Sequence, residues 1–205
     1  MSSRFRQRLD QSILVVDGAM GSYLLQRITP PRGAVEEACL FLPDAVLETH
    51  LAYIEAGARV IETNTFGANR HKLKAFGLAD RVEDINGAAV KIARQAREVS
   101  GKDVLIAGSV GPSAFAYDPA DTDSEELLRS IFREQARALD ARGVDLFLLE
   151  TFVSLGEIRV AFEAVREVSQ LPLVASMTFP GDAWEDWEDT GWPEKVARRL
   201  QSLGA

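Results

Sequence analysis

The chain has 205 residues, of which 46% are hydrophobic and 26% charged, a balance typical of a globular protein with a buried core. Its 23 Lys and Arg against 31 Asp and Glu give a formal net charge of -8, which argues against a protein that binds nucleic acid through phosphate contacts. The longest apolar runs are strand-sized and the first eleven residues are polar, so neither a membrane span nor a signal peptide is expected. A single cysteine excludes an internal disulfide, and a reducing cytoplasm is the expected location.

Short apolar runs alternate along the chain with longer segments of helical periodicity, which predicts β-strands that alternate with α-helices. The runs are continuously apolar, as is typical of parallel strands that are buried on both faces. The predicted strands span residues 13–16, 59–63, 104–107, 145–149 and 173–177. The predicted helices span residues 45–55 and 82–99, and three more begin near Asp123, Ser154 and Pro193. Asp123 and Ser154 are each followed three residues later by glutamate, which is a capping-box pattern, and a proline fits the first turn of a helix.

A short repeat, in which a glycine ends a helix and a small residue leads into a strand, occurs at residues 55–61 and 141–147. It begins a third time at residues 202–205, where the sequence ends, so the pattern predicts that a further strand would follow. Since a closed eight-stranded barrel takes about 250 residues, we expect only about the first five β-α units of a (β/α)8 TIM-barrel type of α/β fold, as one domain over residues 1–205 with no second domain. The alternative is an open, doubly wound sheet of five strands, but the glycine-rich nucleotide turn that would follow its first strand is missing.

Polar residues collect where the predicted strands end. In parallel β/α folds the carboxyl ends of the strands form the rim at which ligands bind. Asp17 and Glu150 each follow an apolar run directly, where a carboxylate is costly unless it has a partner. A helix cap or a buried hydrogen bond would explain either residue alone. Because Thr63, Ser109 and Thr178 occupy comparable positions, the pattern favours a polar pocket for a small ligand.

Four segments, in chain order, resemble one known family. They are VVDGAMG at 15–21, EAGARVIETNTFGAN at 55–69, GSVGP at 108–112 and LLETF at 148–152. Together and in register they resemble the homocysteine S-methyltransferase domain over nearly the whole chain. The sequence that follows Asn69 is most similar to the bacterial two-domain version, in which this domain precedes a methylenetetrahydrofolate reductase domain. The resemblance implies a (β/α)8 barrel that transfers a methyl group to the homocysteine thiol to give methionine, as part of one-carbon metabolism.

The family chemistry also implies a zinc ion held by three cysteine thiolates, which binds the substrate sulfur and stabilises it as thiolate. None of those three positions is present here, so no catalytic residue and no metal ligand is identified, and the chain alone is expected neither to hold zinc nor to turn over. The methyl donor is not specified by these residues, and a methylfolate is one candidate. Cys39 is expected to be a small core residue, and His50 and His71 are expected to be surface residues.

The resemblance assigns homocysteine as the ligand of the remaining half of the site. A substrate ammonium group needs acceptors, which two carboxylates at the rim provide, while hydroxyl and amide groups add hydrogen bonds and a ring adds apolar cover. The implied substrate-binding residues are Asp17, Gly18, Thr63, Asn64, Phe66 and Glu150.

Two alternatives of other classes stay open. One is a non-catalytic α/β module that binds a small molecule in the same pocket. The other is a metal-independent (β/α)-barrel lyase that uses Asp17 and Glu150 as acid and base, although no lysine at a strand end is available for a Schiff base.

The predicted sheet has two open edges. We therefore expect self-association, or pairing with a missing C-terminal half or reductase domain, and no nucleic-acid or membrane partner. The acidic, tryptophan-rich segment 182–192 is interpreted as a solvated loop that covers the rim, with a lid or a docking surface as the alternatives.

Overall fold

A computed structural model describes residues 4–179 and 192–204 of the chain. In these residues one parallel sheet has its strands in chain order, β1 Val60–Glu62, β2 Leu105–Val110, β3 Leu146–Phe152 and β4 Leu173–Met177. The helices are α1 Arg4–Leu9, α2 Met20–Leu25, α3 Ala38–Phe41, α4 Pro43–Ala56, α5 Arg70–Lys74, α6 Val82–Ser100, α7 Thr122–Asp140, α8 Leu155–Val168 and α9 Trp192–Leu203, with 3-10 turns at Val35–Glu37 and Ala79–Arg81. A strand order that never reverses is typical of a barrel and not of a doubly wound sheet.

The sheet is apolar on both faces because successive side chains of a strand point to opposite sides. Ile61, Ile106 and Phe147 face outward and belong to the main core, into which helices α6, α7 and α8 also pack. The inner face carries a smaller cluster, in which Phe5 of α1 packs near the sheet. The inner cluster is formed by Val60, Leu105, Ala107 and Leu146. Burial on both sides explains why the strands are continuously apolar in sequence.

The prediction of a strand at residues 13–16 is wrong. This segment runs beside β1 but forms a single bridge, between Val16 and Val60, and the backbone N–H of Asp17 donates to the Val60 carbonyl at 3.0 Å. Within the described residues it has a neighbour on one side only, and the side chains of Ile13 and Val15 are 90% and 55% exposed. Little apolar burial is therefore available to extend the ladder, and the sheet formed by residues 4–179 and 192–204 has four strands instead of five.

The predicted starts of the later helices are correct to within two residues. Ser154 caps α8 as its capping box predicts, because its hydroxyl accepts the backbone N–H of Glu157 at 3.2 Å. Helix α7 is capped by Asp121 and not by Asp123: the Asp121 carboxylate accepts the Asp123 N–H at 2.9 Å. The helix therefore begins one residue before Asp123, at Thr122.

Most of the predicted segment 182–192 lies outside the described residues. Its last member, Trp192, begins α9 and is 38% exposed. None of the helices within residues 4–179 and 192–204 has the length and apolar composition needed to cross a membrane. Self-association through the sheet edges stays a prediction.

Candidate functional site

The carboxyl ends of β1, β2 and β3 open into a cavity of about 490 Å³. All of the substrate-binding residues predicted from the sequence line it, together with Glu36, Glu62 and Ser109. The predicted residues in the lining are Asp17, Gly18, Thr63, Asn64, Phe66 and Glu150. Residues that are up to 133 positions apart in sequence thus meet because parallel strands end at one edge of the sheet.

Two larger hollows lie away from these strand ends. One, of about 630 Å³, borders α7 and is lined by charged surface side chains that pair with each other, such as Arg70 with Glu134. The other, of about 920 Å³, follows the apolar base of the sheet and is lined by residues such as Phe5, Leu14 and Leu146. Neither brings inward-facing polar side chains together, so the cavity at the strand ends is the candidate site.

Strand alternation explains why this end of the sheet is polar. On β1 the inward positions are Val60 and then Glu62, and on β3 they are Leu148 and then Glu150. The inner face of the sheet therefore changes from apolar at its base to acidic at its carboxyl end. Glu62 is missing from the sequence prediction, although the same two-residue period counted from Val60 would have placed it in the site.

Asp17 is held against the end of β1. Both of its carboxylate oxygens accept the backbone N–H of Glu62, at 3.1 and 3.0 Å. Burial raises the pKa of Asp17 to about 7, and the charge of Glu150 acts in the same direction, although the hydrogen bond from Glu62 acts against it. The adjoining loop is held by Tyr53, whose hydroxyl donates to the Ala19 carbonyl at 3.0 Å and lies against Gly18.

Glu62 and Glu150 form a hydrogen-bonded pair of carboxyl groups. Ser109 donates its hydroxyl to Oε1 of Glu150. Burial first, and then repulsion by Glu150 and Asp17, holds the pKa of Glu62 far above its usual range. A hydrogen bond between two carboxyl groups requires a proton on one of them, and the raised pKa of Glu62 favours the proton on its carboxyl group.

The backbone around Glu150 is irregular. The pairing of β3 with β4 shifts register between Leu149 and Phe152, and Thr151 has a φ of 63°. This left-handed conformation is unusual for a β-branched residue, and bulges of this kind commonly re-aim a side chain beside a site. Sequence periodicity contains no signal for such a shift.

Phe66 forms one wall of the cavity. Its ring lies on Gly111, where an added Cβ would be 2.4 Å from the ring, and the Lys72 ammonium lies 4.4 Å from the ring centroid on a face of the ring. The Gly111 N–H donates to the Phe66 carbonyl at 3.0 Å, so it is already paired. A close approach of this kind requires glycine at position 111.

Thr63 and Asn64 direct their polar groups into the protein. The Thr63 hydroxyl accepts the backbone N–H of Ser109 at 3.1 Å and is paired with the Thr65 hydroxyl at 2.6 Å. The Asn64 amide donates to the Val35 carbonyl at 3.0 Å. These contacts position the loop after β1, while a direct contact of either residue with a ligand stays a prediction.

Cys39 and the two histidines do not belong to the lining of the cavity. The Cys39 thiol is buried in α3, donates to the Asn64 carbonyl at 3.7 Å, and has its pKa raised by burial to about 12, in keeping with the predicted core role. His71 is exposed, as predicted. The prediction that His50 is a surface residue is wrong: it is fully buried in α4.

A family model described as homocysteine S-methyltransferase matches residues 14–203. The chain belongs to the homocysteine S-methyltransferase family. The S-methylmethionine–homocysteine S-methyltransferase BHMT2 of Pongo abelii is 30% identical over 206 residues, which cover 97% of this chain and 52% of that protein. Methionine synthase of Mycobacterium tuberculosis is 32% identical over 162 residues, which cover 75% of this chain and 14% of that protein. The chain thus spans about half, or less, of the length of these curated relatives.

The solved structures agree with this assignment. The oxidised form of the homocysteine methyltransferase MmuM from Escherichia coli matches with a TM-score of 0.71 and 28% identity, over 84% of this chain and 64% of that one. Its metallated form matches with a TM-score of 0.70 at 24% identity, a likeness that shows the fold alone. The expected α/β fold class is confirmed, because these neighbours are TIM barrels and the four-stranded parallel sheet is compatible with part of one.

Proposed function

We propose that this chain forms the substrate-binding part of a homocysteine S-methyltransferase, and that the cavity at its strand ends binds the amino-acid end of homocysteine. The enzyme would transfer a methyl group to the homocysteine thiol and release methionine. The observation that carries the proposal is the convergence of Asp17, Glu62 and Glu150 at one rim, inside the region that matches the family. A methylfolate is a candidate donor, from the resemblance to the two-domain bacterial version.

The cavity is suited to a ligand with an ammonium group. Its lining in the described part of the chain contains four acids and no lysine, arginine or histidine. Charge-assisted hydrogen bonds from an ammonium group to a carboxylate are among the stronger polar contacts in proteins. Asp17 and Glu150 are fixed beforehand, by the Glu62 backbone and by the Ser109 hydroxyl, so little ordering is needed when the ligand binds.

The described residues do not fit the zinc ion that the family chemistry implies. Residues 4–179 and 192–204 contain no cluster of three or more histidine, cysteine or acidic side chains that could hold a metal. The buried Cys39 thiol is hydrogen-bonded to the Asn64 carbonyl, and its raised pKa keeps it from the thiolate form that binds zinc. The residues present therefore bind and orient the substrate, and none is assigned the methyl-transfer step. That the chain alone holds no stoichiometric zinc stays a prediction.

Titration of the full 205-residue chain with homocysteine, under reducing conditions, should give saturable heat in a calorimeter. Glu150→Gln should weaken binding by roughly 10- to 100-fold, because it removes a charged acceptor of the ammonium group. The matched control is Glu48→Gln, an exposed glutamate on α4 far from the cavity, which should bind like the wild type. If the wild-type chain shows no binding, or if both variants lose it equally, the proposed function is wrong.

Gly111→Ala should weaken homocysteine binding by about tenfold, because the new methyl group displaces the Phe66 ring into the cavity and away from Lys72. The control is Gly21→Ala at another residue of the lining, where the nearest atom to an added Cβ is 3.8 Å away. Calorimetric titration of both variants measures the difference. Equal affinities for Gly111→Ala and Gly21→Ala would show that the Phe66 wall does not contact the ligand.

A further inference from the structure

The acids of the cavity are not equivalent. Glu36 already accepts the backbone N–H of Gly67 at 2.7 Å, and Asp17 accepts the Glu62 N–H with both oxygens. Glu62 on β1 and Glu150 on β3 both line the cavity, and a hydrogen bond joins their side chains. Among these acids, Glu62 thus has another carboxyl group, that of Glu150, as the hydrogen-bond partner of its side chain.

The groups that face this pair come from every element around it. They are the Asp17 carboxylate, from the segment beside β1, and the Ser109 hydroxyl of β2. Tyr53 of α4 contributes a hydroxyl that is already donated to the Ala19 carbonyl. No cation lies among the residues described as lining the cavity. In the empty cavity, protonation of one of the two carboxyl groups therefore relieves the repulsion between them.

We propose that the ammonium group of the amino-acid substrate replaces this proton, so that substrate binding releases one proton from the Glu62–Glu150 pair to solvent. This inference rests on the proposed function. The O–H bond of the pair breaks and its proton passes to buffer, while N–H···O hydrogen bonds form from the ammonium group to both carboxylates. The proton leaves the pair as the ammonium group enters, so the charge of the pair together with its cation is unchanged, and no covalent bond to the substrate is made or broken.

The exchange makes Glu62 a determinant of specificity for ligands that carry a cationic amine. A ligand of the same shape without a cationic amine leaves the proton in place and finds a neutral carboxyl group instead of a second carboxylate. Because binding releases a proton, affinity rises with pH wherever the empty pair is protonated and the ligand amine is charged. One released proton gives at most about a tenfold gain in affinity per pH unit.

Calorimetric titrations at pH 8 in phosphate and in Tris, whose ionisation enthalpies differ, count the released protons. At this pH Asp17, whose pKa is raised to about 7, is mostly ionised and contributes little. The ligands are homocysteine and the thiol-free analogue 2-aminobutanoate, so that a proton lost from the thiol is distinguished. The wild-type chain should release close to one proton with 2-aminobutanoate, and Glu62→Gln should release fewer than about 0.3 while still binding.

The outcomes separate the two proposals. Binding of both ligands without proton release in the wild type overturns this inference and leaves the proposed function intact. Release with homocysteine alone assigns the proton to the thiol and also overturns it. Absence of homocysteine binding overturns the proposed function. The buffer comparison on the wild type decides the matter even if Glu62→Gln fails to fold, and Glu48→Gln, which changes an exposed acid outside the cavity, should release as many protons as the wild type.

Discussion

Glu62→Gln is expected to stabilise the protein by about 2 kcal/mol at pH 8, with almost no effect at pH 4.5. The pKa of Glu62 is higher in the folded protein than in the unfolded chain, because folding buries the carboxyl group beside Glu150 and Asp17. For an acid shifted upward, the unfolded state loses its proton first, so the free energy of unfolding falls as pH rises above the unfolded value. Glutamine does not ionise in either state, and its amide can still donate to Glu150.

Urea unfolding of both proteins across pH 4.5 to 8 measures this difference. Glu48→Gln provides the matched control, because Glu48 is exposed and its substitution should leave the free energy of unfolding within about 0.5 kcal/mol of the wild-type value. A Glu62→Gln protein that is no more stable than the wild type at pH 8 would mean that the buried acid carries no ionisation penalty. Stabilisation together with weaker substrate binding is the pattern expected of a residue kept for function at the expense of stability.

The general position of the site follows from sequence because it depends on topology. Once strands are expected to be parallel, residues directly after them meet at one rim, and this alone brings Asp17 together with Glu150. The resemblance then added Phe66 and the loop after β1. What neither could supply was the direction of the polar groups, since whether the Asn64 amide faces a ligand or the Val35 carbonyl depends on packing that a motif does not encode.

Glu62 and His50 differ from Asn64, because each occupies a position whose burial follows from the periodicity of its strand or helix. Glu62 is two residues after the inward-facing Val60, which puts it on the same face of β1. His50 lies four residues from both Val46 and Ile54, which are buried on α4, so helical periodicity places it on the buried stripe. The helical pattern therefore predicts burial for His50, and the strand pattern predicts that Glu62 faces the site.

The buried histidine makes the protein sensitive to mild acid. Between pH 6.5 and pH 4, His50 is expected to lower the free energy of unfolding by about 3 kcal/mol, because burial lowers its pKa to about 4 from a value near 6.5 in the unfolded chain. For a base shifted downward, the unfolded state takes up the proton first, so the stabilisation is complete above pH 6.5 and is lost as pH falls through this window. Neither ring nitrogen has a hydrogen-bond partner among the described residues, and no charged neighbour contributes to the shift.

Comparison of the wild type with His50→Leu isolates this effect. Leucine fills the buried site without titrating, so the difference in free energy of unfolding between the two proteins should change by about 3 kcal/mol from pH 7 to pH 4, in favour of the variant at low pH. As pH falls, Asp17 and Glu62 raise the free energy of unfolding over part of this range. Both residues are present in both proteins, so their effects cancel in the difference. His71→Leu, at the exposed histidine, is the control substitution. If the difference between wild type and His50→Leu is constant with pH, then His50 takes up its proton equally well in the folded protein, and its burial must be relieved by water or by local opening of α4.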